Sequence, residues 1–302
     1  MKKQAMAKVL ITTSNFGQTE ALNKLDYILN PYKRKLTTEE LITLVKEHMP
    51  DYIIAGTENI DASALKSMKP YVKMISRCGT GMDNVDLSAA KELGIAVTNT
   101  PDAPTMPVAE LALGIILDLL RKISFSDKNI RNGGFIKPMG NLLNNKTVGI
   151  IGCGRIGTHL AKLLQPFECI IIGCDNILKK HNIIQLTNFD ELIAISDIIT
   201  LHIPFTSENK YIIDGNVFYK MKKSAYLLNI SRGGLVDEKA LVNALEEGKI
   251  AGAGIDCFEN EPYNGELIKF NNVVLTSHIG SYAEEARVRQ ELDSINNILG
   301  VL

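Results

Sequence analysis

Residues 145–157 have the sequence NKTVGIIGCGRIG, and this stretch decides how the chain folds. Residues 148–151 form a short apolar run that is typical of a buried strand. Three glycines follow it in the spacing G-x-G-x-x-G, and the residues after them have the apolar spacing of a helix. The first N–H groups of a helix are unpaired and lie at the positive end of its dipole, so this turn favours a phosphate anion.

Each glycine has a separate task in such a turn. Gly152 permits the sharp bend, Gly154 lets a pyrophosphate approach the backbone, and Gly157 lets the helix pack closely on the strand. We assign these glycines to a dinucleotide site, together with Arg155 and Ile156 at the start of the helix. A glycine turn alone is weak, because such turns also occur for purely structural reasons, but the strand and helix around it strengthen the interpretation.

An acidic residue after the next strand indicates which dinucleotide is bound. Asp175 follows the apolar run 170–174, at about the 20-residue interval expected for a carboxylate that binds the adenosine ribose. A carboxylate accepts from the ribose hydroxyls and repels a 2′-phosphate. The sequence therefore predicts NAD rather than NADP as the cofactor.

Short apolar runs alternate with helical patterns along the chain. We predict strands at 9–12, 52–55, 72–76 and 95–98 before the glycine turn, and at 198–201, 226–230, 253–255 and 273–275 after it. This alternation predicts an α/β protein with parallel sheets flanked by helices. Polar clusters follow many of these strands, at the carboxyl ends where parallel sheets bind ligands.

The overall composition excludes several classes of protein. Hydrophobic residues make up 45% and charged residues 22%, as in ordinary globular proteins, and a formal net charge of −1 gives no reason to expect a nucleic-acid partner. We see no signal peptide and no membrane span, so we expect a cytoplasmic protein. The five cysteines lack the spacing of metal ligands, so we expect reduced thiols and no metal site.

A proline-rich segment suggests where two domains join. Three prolines lie within residues 101–107, and this segment predicts a stiff connector. We expect an amphipathic helix at 108–121 and then a polar surface loop at 128–145. A chain of 302 residues is long enough for two cores.

Three residues far apart in the sequence form a workable catalytic set. Arg232 can clamp a carboxylate and polarise a neighbouring carbonyl, and His278 can exchange a proton with an alkoxide. Glu261 can orient the imidazole. With a nicotinamide, these groups suffice for hydride transfer between a 2-hydroxy acid and a 2-oxo acid. Each residue alone is more often structural, and their occurrence beside the cofactor motif reverses that judgement.

The other histidines receive different interpretations. His202 lies on the same sheet edge, but Pro204 follows it closely, so we expect this segment to shape the cofactor pocket. We expect His48, His159 and His181 to be surface or helix residues.

At this point the chain resembles the NAD-dependent D-isomer-specific 2-hydroxyacid dehydrogenase family over nearly its whole length. The stretches that carry the resemblance are RCGTGMDNVD at 77–86, the glycine motif at 152–157, LHIP at 201–204, NISRGG at 229–234, Asp256 with Glu261-Pro262, and HIG at 278–280.

The resemblance implies roles for individual residues. Arg232 would bind and polarise the substrate, His278 would be the acid/base, and Glu261 would pair with His278. Asp256 would hold the nicotinamide carboxamide. The remaining assignments are His202, Pro204 and Ile230 to the cofactor pocket, and Arg77, Cys78, Gly79, Thr80 and Gly81 to the substrate carboxylate, with exposed N–H groups at Gly79 and Gly81.

The resemblance also implies the architecture. Residues 1–97 and 283–302 would form a flavodoxin-like substrate domain, and residues 98–282 a Rossmann cofactor domain. Such proteins are usually homodimers built on the cofactor domain. The C-terminal helix would be short, with weak domain closure, and Ser277 stands where the family commonly has proline, which would loosen the loop before His278.

Within the family, the loop at 77–81 most resembles that of 3-phosphoglycerate dehydrogenases. Lys137 and Arg131 would then be candidates to meet a substrate phosphate, although solvated surface charges are the simpler interpretation. No regulatory domain is expected after residue 302.

Other functions remain open at this stage. One alternative is a dehydrogenase for an unphosphorylated acid pair, such as glycerate/hydroxypyruvate or lactate/pyruvate. Another is an NAD-sensing binding protein on the same fold, and a third is a methyltransferase that uses the glycine turn for another nucleotide. Oxidation of Cys78 or Cys153, in the two ligand loops, is a further hypothesis for blocking the site.

Overall fold

The computed structural model describes residues 7–17 and 19–302, and the chain divides into two compact units. The first unit contains the described residues up to Pro104 together with Ala283–Leu302, and the second is Thr105–Tyr282. The observed divisions therefore fall at 104/105 and 282/283, compared with the expected ones at 97/98 and 282/283.

The strands and helices are numbered in chain order. The strands are β1 Lys8–Ile11, β2 Asp26–Leu29, β3 Tyr52–Ala55, β4 Met74–Arg77, β5 Ala96–Asn99, β6 Thr147–Ile151, β7 Ile170–Cys174, β8 Gln185–Leu186, β9 Ile198–Leu201, β10 Tyr226–Asn229, β11 Gly252–Ile255 and β12 Val273–Leu275. The α-helices are α1 Thr38–His48, α2 Ala62–Met68, α3 Leu87–Leu93, α4 Thr105–Arg121, α5 Ile123–Arg131, α6 Arg155–Leu164, α7 Phe189–Ile195, α8 Gly215–Lys220, α9 Glu238–Glu246 and α10 Glu284–Leu299.

The sheet of the first unit has the order β2-β1-β3-β4-β5, and its strands are parallel. This is the flavodoxin-like order, with its switch point between β1 and β3. Strand β3 is buried at every position, as expected of a central strand covered on both faces. The predicted α/β class is therefore confirmed for this unit, with β2 as a strand that the sequence did not predict.

The sheet of the second unit has the order β12-β11-β10-β9-β6-β7-β8, again all parallel. The six strands β8-β7-β6-β9-β10-β11 have the doubly wound Rossmann order, and β12 adds a seventh strand beside β11. The order reverses between β6 and β9, so ligands are expected beside the carboxyl end of β6. The glycine turn begins at that point, immediately after Ile151.

The helix expected at 108–121 is confirmed, but two boundaries around it differ from the expected ones. Helix α4 begins at Thr105, inside the proline-rich segment, because Pro107 lies in the first turn, where no N–H bond is lost. Helix α5 occupies the start of the segment predicted as a loop at 128–145. Its apolar side chains at Ile123 and Ile130 are exposed, so the apolar pattern that a buried helix would show is weak.

Local sequence features determine where two helices of the first unit begin and end. Thr37 and Glu40 form a capping box at the start of α1, and Gly94 ends α3 in the left-handed conformation. Helix α10 is longer than expected, with 16 residues, and contacts β4 and β3 of the same unit. Its Asn297 amide donates to Ser76 Oγ at 3.2 Å and so ties the helix to β4.

Among the described residues, no helix combines the length and the apolar character needed to cross a membrane. Helix α4 has 17 residues, and its buried side chains pack against the second sheet in one core with Val148, Ile150 and Leu228. Its apolar face is therefore explained by packing within its own unit.

Candidate active site

The glycine turn adopts the conformation that its sequence requires. Gly152 has φ +95°, and its N–H donates to Cys174 O at 2.9 Å, which ties the end of β6 to β7. A Cβ at this position would lie 2.7 Å from the carbonyl oxygen of His202, so a side chain is excluded by both backbone conformation and space. The turn then enters α6 with Gly154 as the residue before its first turn.

The space around the other two glycines separates a binding role from a packing role. A Cβ at Gly154 would meet no atom within 4 Å, whereas one at Gly157 would overlap the carbonyl oxygen of Gly152. Gly157 is therefore needed for packing of α6 on the turn. Gly154 has open space above it, so this position fits the approach of a dinucleotide pyrophosphate, with Arg155 exposed and Ile156 half-buried beside it.

Asp175 lies at the carboxyl end of β7, beside the glycine turn. Its Oδ2 accepts from Cys153 N–H at 2.9 Å, and its Oδ1 accepts from Ile177 and Leu178 N–H at 2.9 and 3.0 Å. Partial burial opposes ionisation, but these backbone hydrogen bonds outweigh it and hold the pKa of Asp175 below its ordinary value. The carboxylate is thus charged at neutral pH, as a ribose-binding group requires.

His181 was interpreted as a surface or helix residue, and that interpretation missed its place beside the glycine turn. Its Nδ1 accepts from Ile183 and Ile184 N–H at 3.3 and 3.2 Å, so Nε2 carries the proton in the neutral ring. Nε2 lies 3.0 Å from Thr158 Oγ1, and that hydroxyl donates to Cys153 O at 2.9 Å. These hydrogen bonds connect His181 through Thr158 to the backbone of the glycine turn, and the sequence spacing did not indicate them.

The segment at 202–204 lies against the glycine turn. His202 N–H donates to Ile151 O at 2.7 Å, and its Nε2 lies 3.0 Å from the hydroxyl of buried Thr200. Burial lowers the pKa of His202 to about 3, so the ring is neutral at physiological pH and does not serve as a charged group. Pro204 O accepts from Asn209 Nδ2, and Ile230 is buried beyond the next strand.

His278 and Glu261 are in direct contact. His278 Nδ1 lies 3.0 and 3.1 Å from the two carboxylate oxygens of Glu261, and both side chains are partly exposed, at 45% and 39%. Because a carboxylate only accepts, Nδ1 carries the proton and Nε2 is left to exchange one. Glu261 Oε1 also accepts from Phe258 N–H at 3.1 Å, which positions the carboxylate.

The loop that carries His278 is fastened by Asp256. This carboxylate is fully buried, and its oxygens accept from Thr276 Oγ1 at 2.6 Å, Ile279 N–H at 2.8 Å and Gly280 N–H at 2.9 Å. His278 itself has φ +56°, a left-handed conformation that persists only when its surroundings impose it. The expectation that Ser277 loosens this loop finds no support in these contacts.

Arg232 is positioned by an asparagine at the end of β10. Asn229 is buried, donates from Nδ2 to Arg232 O at 2.9 Å and accepts from Ser231 N–H at 3.2 Å. The guanidinium of Arg232 donates to Ser231 O at 2.8 Å. Burial is the largest cause that raises the pKa of the Cys257 thiol, while the charge of Arg232 lowers this pKa and that of Glu261 raises it.

The loop at 77–81 in the first unit is well ordered by its own hydrogen bonds. Gly79 N–H donates to Thr100 Oγ1 at 2.8 Å, which corrects the expectation that this N–H is exposed for a ligand. Asn99 Nδ2 donates to Thr80 O at 2.7 Å, and the Arg77 guanidinium bonds to Cys78 O. Within the described part of the chain, the N–H groups of Thr80 and Gly81 donate to no protein acceptor and remain available for an anion.

The two cysteines of the ligand loops are poor candidates for oxidation. Cys78 and Cys153 are both buried, at 3% and 1% exposure. Burial raises the pKa of Cys78, and it raises the pKa of Cys153 to about 12. The reactive thiolate is therefore scarce at both positions.

Comparison with known proteins connects this geometry to a family. Residues 113–280 match the model of the D-isomer specific 2-hydroxyacid dehydrogenase, NAD binding domain. The chain is 42% identical to a glyoxylate reductase of Thermofilum pendens, over 82% of this chain and 76% of that one. It is 36% identical to a D-3-phosphoglycerate dehydrogenase of Archaeoglobus fulgidus, over 85% of this chain and 50% of that one, so it spans about half of that relative's length.

A solved structure gives the same result for the fold. The D-lactate dehydrogenase of Aquifex aeolicus, described as complexed with NAD and lactic acid, is 28% identical with a TM-score of 0.83, covering 97% of this chain and 95% of that one. The chain therefore belongs to the NAD-dependent D-isomer-specific 2-hydroxyacid dehydrogenase family.

Proposed function

We propose that this protein interconverts a D-2-hydroxy acid and its 2-oxo acid with NAD(H), using His278 as the acid/base. The observation that carries the proposal is the pair of His278 Nδ1 and Glu261 at 3.0 Å, in the same unit as the glycine turn. A carboxylate that accepts from Nδ1 holds the ring in one orientation and leaves Nε2 to give a proton to a forming alkoxide.

Each side chain of the proposed catalytic set has a separate role in the reaction. Glu261 holds Nδ1, so that Nε2 of His278 gives a proton to the carbonyl oxygen during reduction and takes it back during oxidation. Arg232 pairs with the substrate carboxylate and polarises the carbonyl. The nicotinamide, when bound, supplies or accepts the hydride.

The cofactor would be held along the switch point of the second sheet. Gly154 leaves the space for the pyrophosphate, and Asp175 offers its carboxylate to the ribose. Asp256 is a more constrained candidate for the nicotinamide carboxamide, because three protein donors already occupy it. Among the described residues, Gly280 is the one donor to its Oδ2, so this oxygen keeps one acceptor position, which is sufficient for one amide N–H.

For the substrate, we propose 3-phosphoglycerate and 3-phosphohydroxypyruvate as the first pair to assay. The loop at 77–81 has the sequence that suggested this class, and relatives of that name match most of this chain. The N–H groups of Thr80 and Gly81 would bind the substrate carboxylate. Lys137 is exposed and would be the cation for the phosphate, whereas Arg131 is already paired with Asp127 at 2.8 Å.

A specific observation favours a second candidate, an unphosphorylated short acid pair such as glyoxylate, hydroxypyruvate or pyruvate with its hydroxy acid. The relative named glyoxylate reductase has the higher identity of the two relatives compared and is covered over three quarters of its length. The pairing of Arg131 also removes one of the two charges proposed for a phosphate.

A substrate panel distinguishes these possibilities. NADH and NADPH oxidation would be measured with 3-phosphohydroxypyruvate, hydroxypyruvate, glyoxylate and pyruvate. We expect turnover with NADH, with the highest kcat/KM for 3-phosphohydroxypyruvate and a raised KM for that substrate alone in Lys137→Ala. A preference for glyoxylate or hydroxypyruvate supports the second candidate, and NADH binding without turnover on any 2-oxo acid supports an NAD-sensing protein and contradicts the proposal.

We also propose that the protein is a homodimer through its second unit. Helix α5 and the segment after it expose apolar side chains that a monomer would leave in water, and Phe135 and Met139 are exposed at 79% and 87%. Ile123, Ile136 and Leu142 extend the same segment. Sedimentation should give a dimer for the native chain and a monomer for Phe135→Asp with Met139→Asp, and a monomeric native chain contradicts the proposal.

A further inference from the structure

A cysteine lies next to the proposed acid/base pair and completes a set of metal ligands. Cys257 Sγ, a carboxylate oxygen of Glu261 and an imidazole nitrogen of His278 all lie within 4.8 Å of one another. Cys257 follows Asp256 after β11, Glu261 lies farther along the same loop, and His278 comes from the loop after β12. The reaction proposed above has no use for the thiol.

The donor set matches a borderline-soft divalent cation. Thiolate, imidazole and carboxylate are the three side-chain types that bind Zn²⁺, and three protein ligands with one open position are typical of accessible zinc sites. Tetrahedral bonds of the usual lengths separate ligand atoms by about 3.5 Å, so the longest separation in this set has to shrink by roughly 1 Å.

The burial of the three side chains makes that adjustment feasible. Cys257 is buried at the inner side of the set. Glu261 and His278 are exposed, and His278 Nδ1 already lies 3.0 Å from Glu261 Oε2. The exposed side of the set leaves room for water as a fourth ligand. Burial raises the pKa of the Cys257 thiol, so the bare site holds a neutral thiol and the cation has to displace its proton into solvent.

We infer that Zn²⁺ binds to Cys257, Glu261 and His278 and reversibly inhibits the enzyme. Coordination occupies the Glu261 carboxylate and one ring nitrogen of His278, and binding through either nitrogen disrupts the proton exchange that the reaction requires. The inhibition rests on the proposed function, whereas the metal binding does not, because binding is measured without turnover.

The first test detects the metal–sulfur bond directly. The full-length protein would be titrated with Co²⁺, which gives a thiolate-to-metal charge-transfer absorption when sulfur is a ligand. We expect this band in the native protein and in the control Cys169→Ser, which changes a half-buried cysteine of the same unit. The band should be lost in Cys257→Ser and in Cys257→Ala. A native protein without the band overturns the inference.

The second test measures inhibition. In buffer free of chelators and added thiols, Zn²⁺ should inhibit NADH-dependent turnover by the native protein and Cys169→Ser, and EDTA should restore it. The concentration for half inhibition should rise by at least about tenfold in Cys257→Ser and Cys257→Ala, with their metal-free activity retained. Equal sensitivity of all four proteins overturns the assignment of Cys257. The cobalt band without activity on any 2-oxo acid would contradict the proposed function and leave the metal site supported.

Discussion

The buried carboxylate of Asp256 accepts a hydrogen bond from the backbone N–H of Gly280, two residues beyond His278, at 2.9 Å. Its other oxygen accepts from Ile279 N–H and from the Thr276 hydroxyl. The end of β11 therefore determines the position of a loop that begins at the end of β12. Asp256 is a positioning residue for the proposed acid/base, whatever further contact it makes with a cofactor.

Replacement of Asp256 by asparagine should damage both stability and activity. The amide keeps one acceptor oxygen, so one buried N–H group loses its partner, which costs about 1–3 kcal/mol of unfolding free energy. We expect a lower Tm and a lower kcat for Asp256→Asn. Thr276→Val, which removes only the hydroxyl bond, is the matched control with a smaller effect. A wild-type kcat and Tm in Asp256→Asn would show that the loop does not depend on this carboxylate.

Two glycines of the same motif should respond differently to alanine. Gly154→Ala adds a methyl group where no atom lies within 4 Å, so the unfolding free energy should change by less than about 1 kcal/mol. The methyl group occupies the space assigned to the pyrophosphate, so NADH affinity should fall by at least about tenfold. Gly157→Ala forces an overlap with Gly152 O and should lower the unfolding free energy by about 1–3 kcal/mol.

These outcomes are measured by urea unfolding and by titration of NADH fluorescence. If Gly154→Ala binds NADH as tightly as the native protein, the pyrophosphate does not lie over this residue. If Gly157→Ala is as stable as the native protein, the close approach of α6 to the turn is not required.

The choice of dinucleotide should depend on Asp175. Removal of its carboxylate in Asp175→Ser takes away the acceptor for the ribose hydroxyls and the repulsion of a 2′-phosphate. We expect the ratio of kcat/KM for NADH to that for NADPH to fall by at least about tenfold. Asp175 also accepts from Cys153, Ile177 and Leu178 N–H, so thermal unfolding of the variant has to be recorded in parallel. An unchanged ratio in a folded variant argues against the assignment.

The pH dependence of stability should contain a contribution from His202. Its pKa is about 3 in the folded protein and near 6.5 as a free side chain, so the unfolded chain binds more protons between these values. Stability therefore falls as pH drops from about 6.5 towards 3, by up to about 1.4 kcal/mol per pH unit from this residue. Urea unfolding of His202→Gln between pH 7 and 5 should show a shallower slope, and His159→Gln serves as the control. Equal slopes in all three proteins would show that burial of His202 does not make stability depend on pH.

Much of this architecture follows from local sequence patterns. The apolar runs at 52–55 and 198–201 matched strands because buried parallel strands are continuously apolar, and the capping box at Thr37 marked the start of α1. The two-residue strand β8 has no such run, and the edge strand β2 is partly exposed and has only three apolar residues in a row, so both strands were missed. Helix α5 was missed because it has few apolar residues, and none of its residues is buried.

The sequence pattern could not predict which loops contact one another. The sequence singled out Asp256 and His278, but not the hydrogen bonds by which one positions the loop of the other. Cys257 was treated as a reduced thiol without metal spacing, because ligands that meet through two separate loops have no fixed interval. His181 likewise reaches the glycine turn through a bend after β7 that no periodicity describes.

His278 is proposed to exchange the proton in a hydride-transfer reaction, and single-turnover NADH oxidation by His278→Ala and Glu261→Gln is the measurement that tests this role. We expect His278→Ala to bind NADH like the native protein and to lose about 10²- to 10⁴-fold in the rate of the chemical step on the best 2-oxo acid of the panel. Glu261→Gln should show a smaller loss, because the ring keeps a partner of the same shape. A native rate in His278→Ala would contradict the claim, since no proton then passes through this residue.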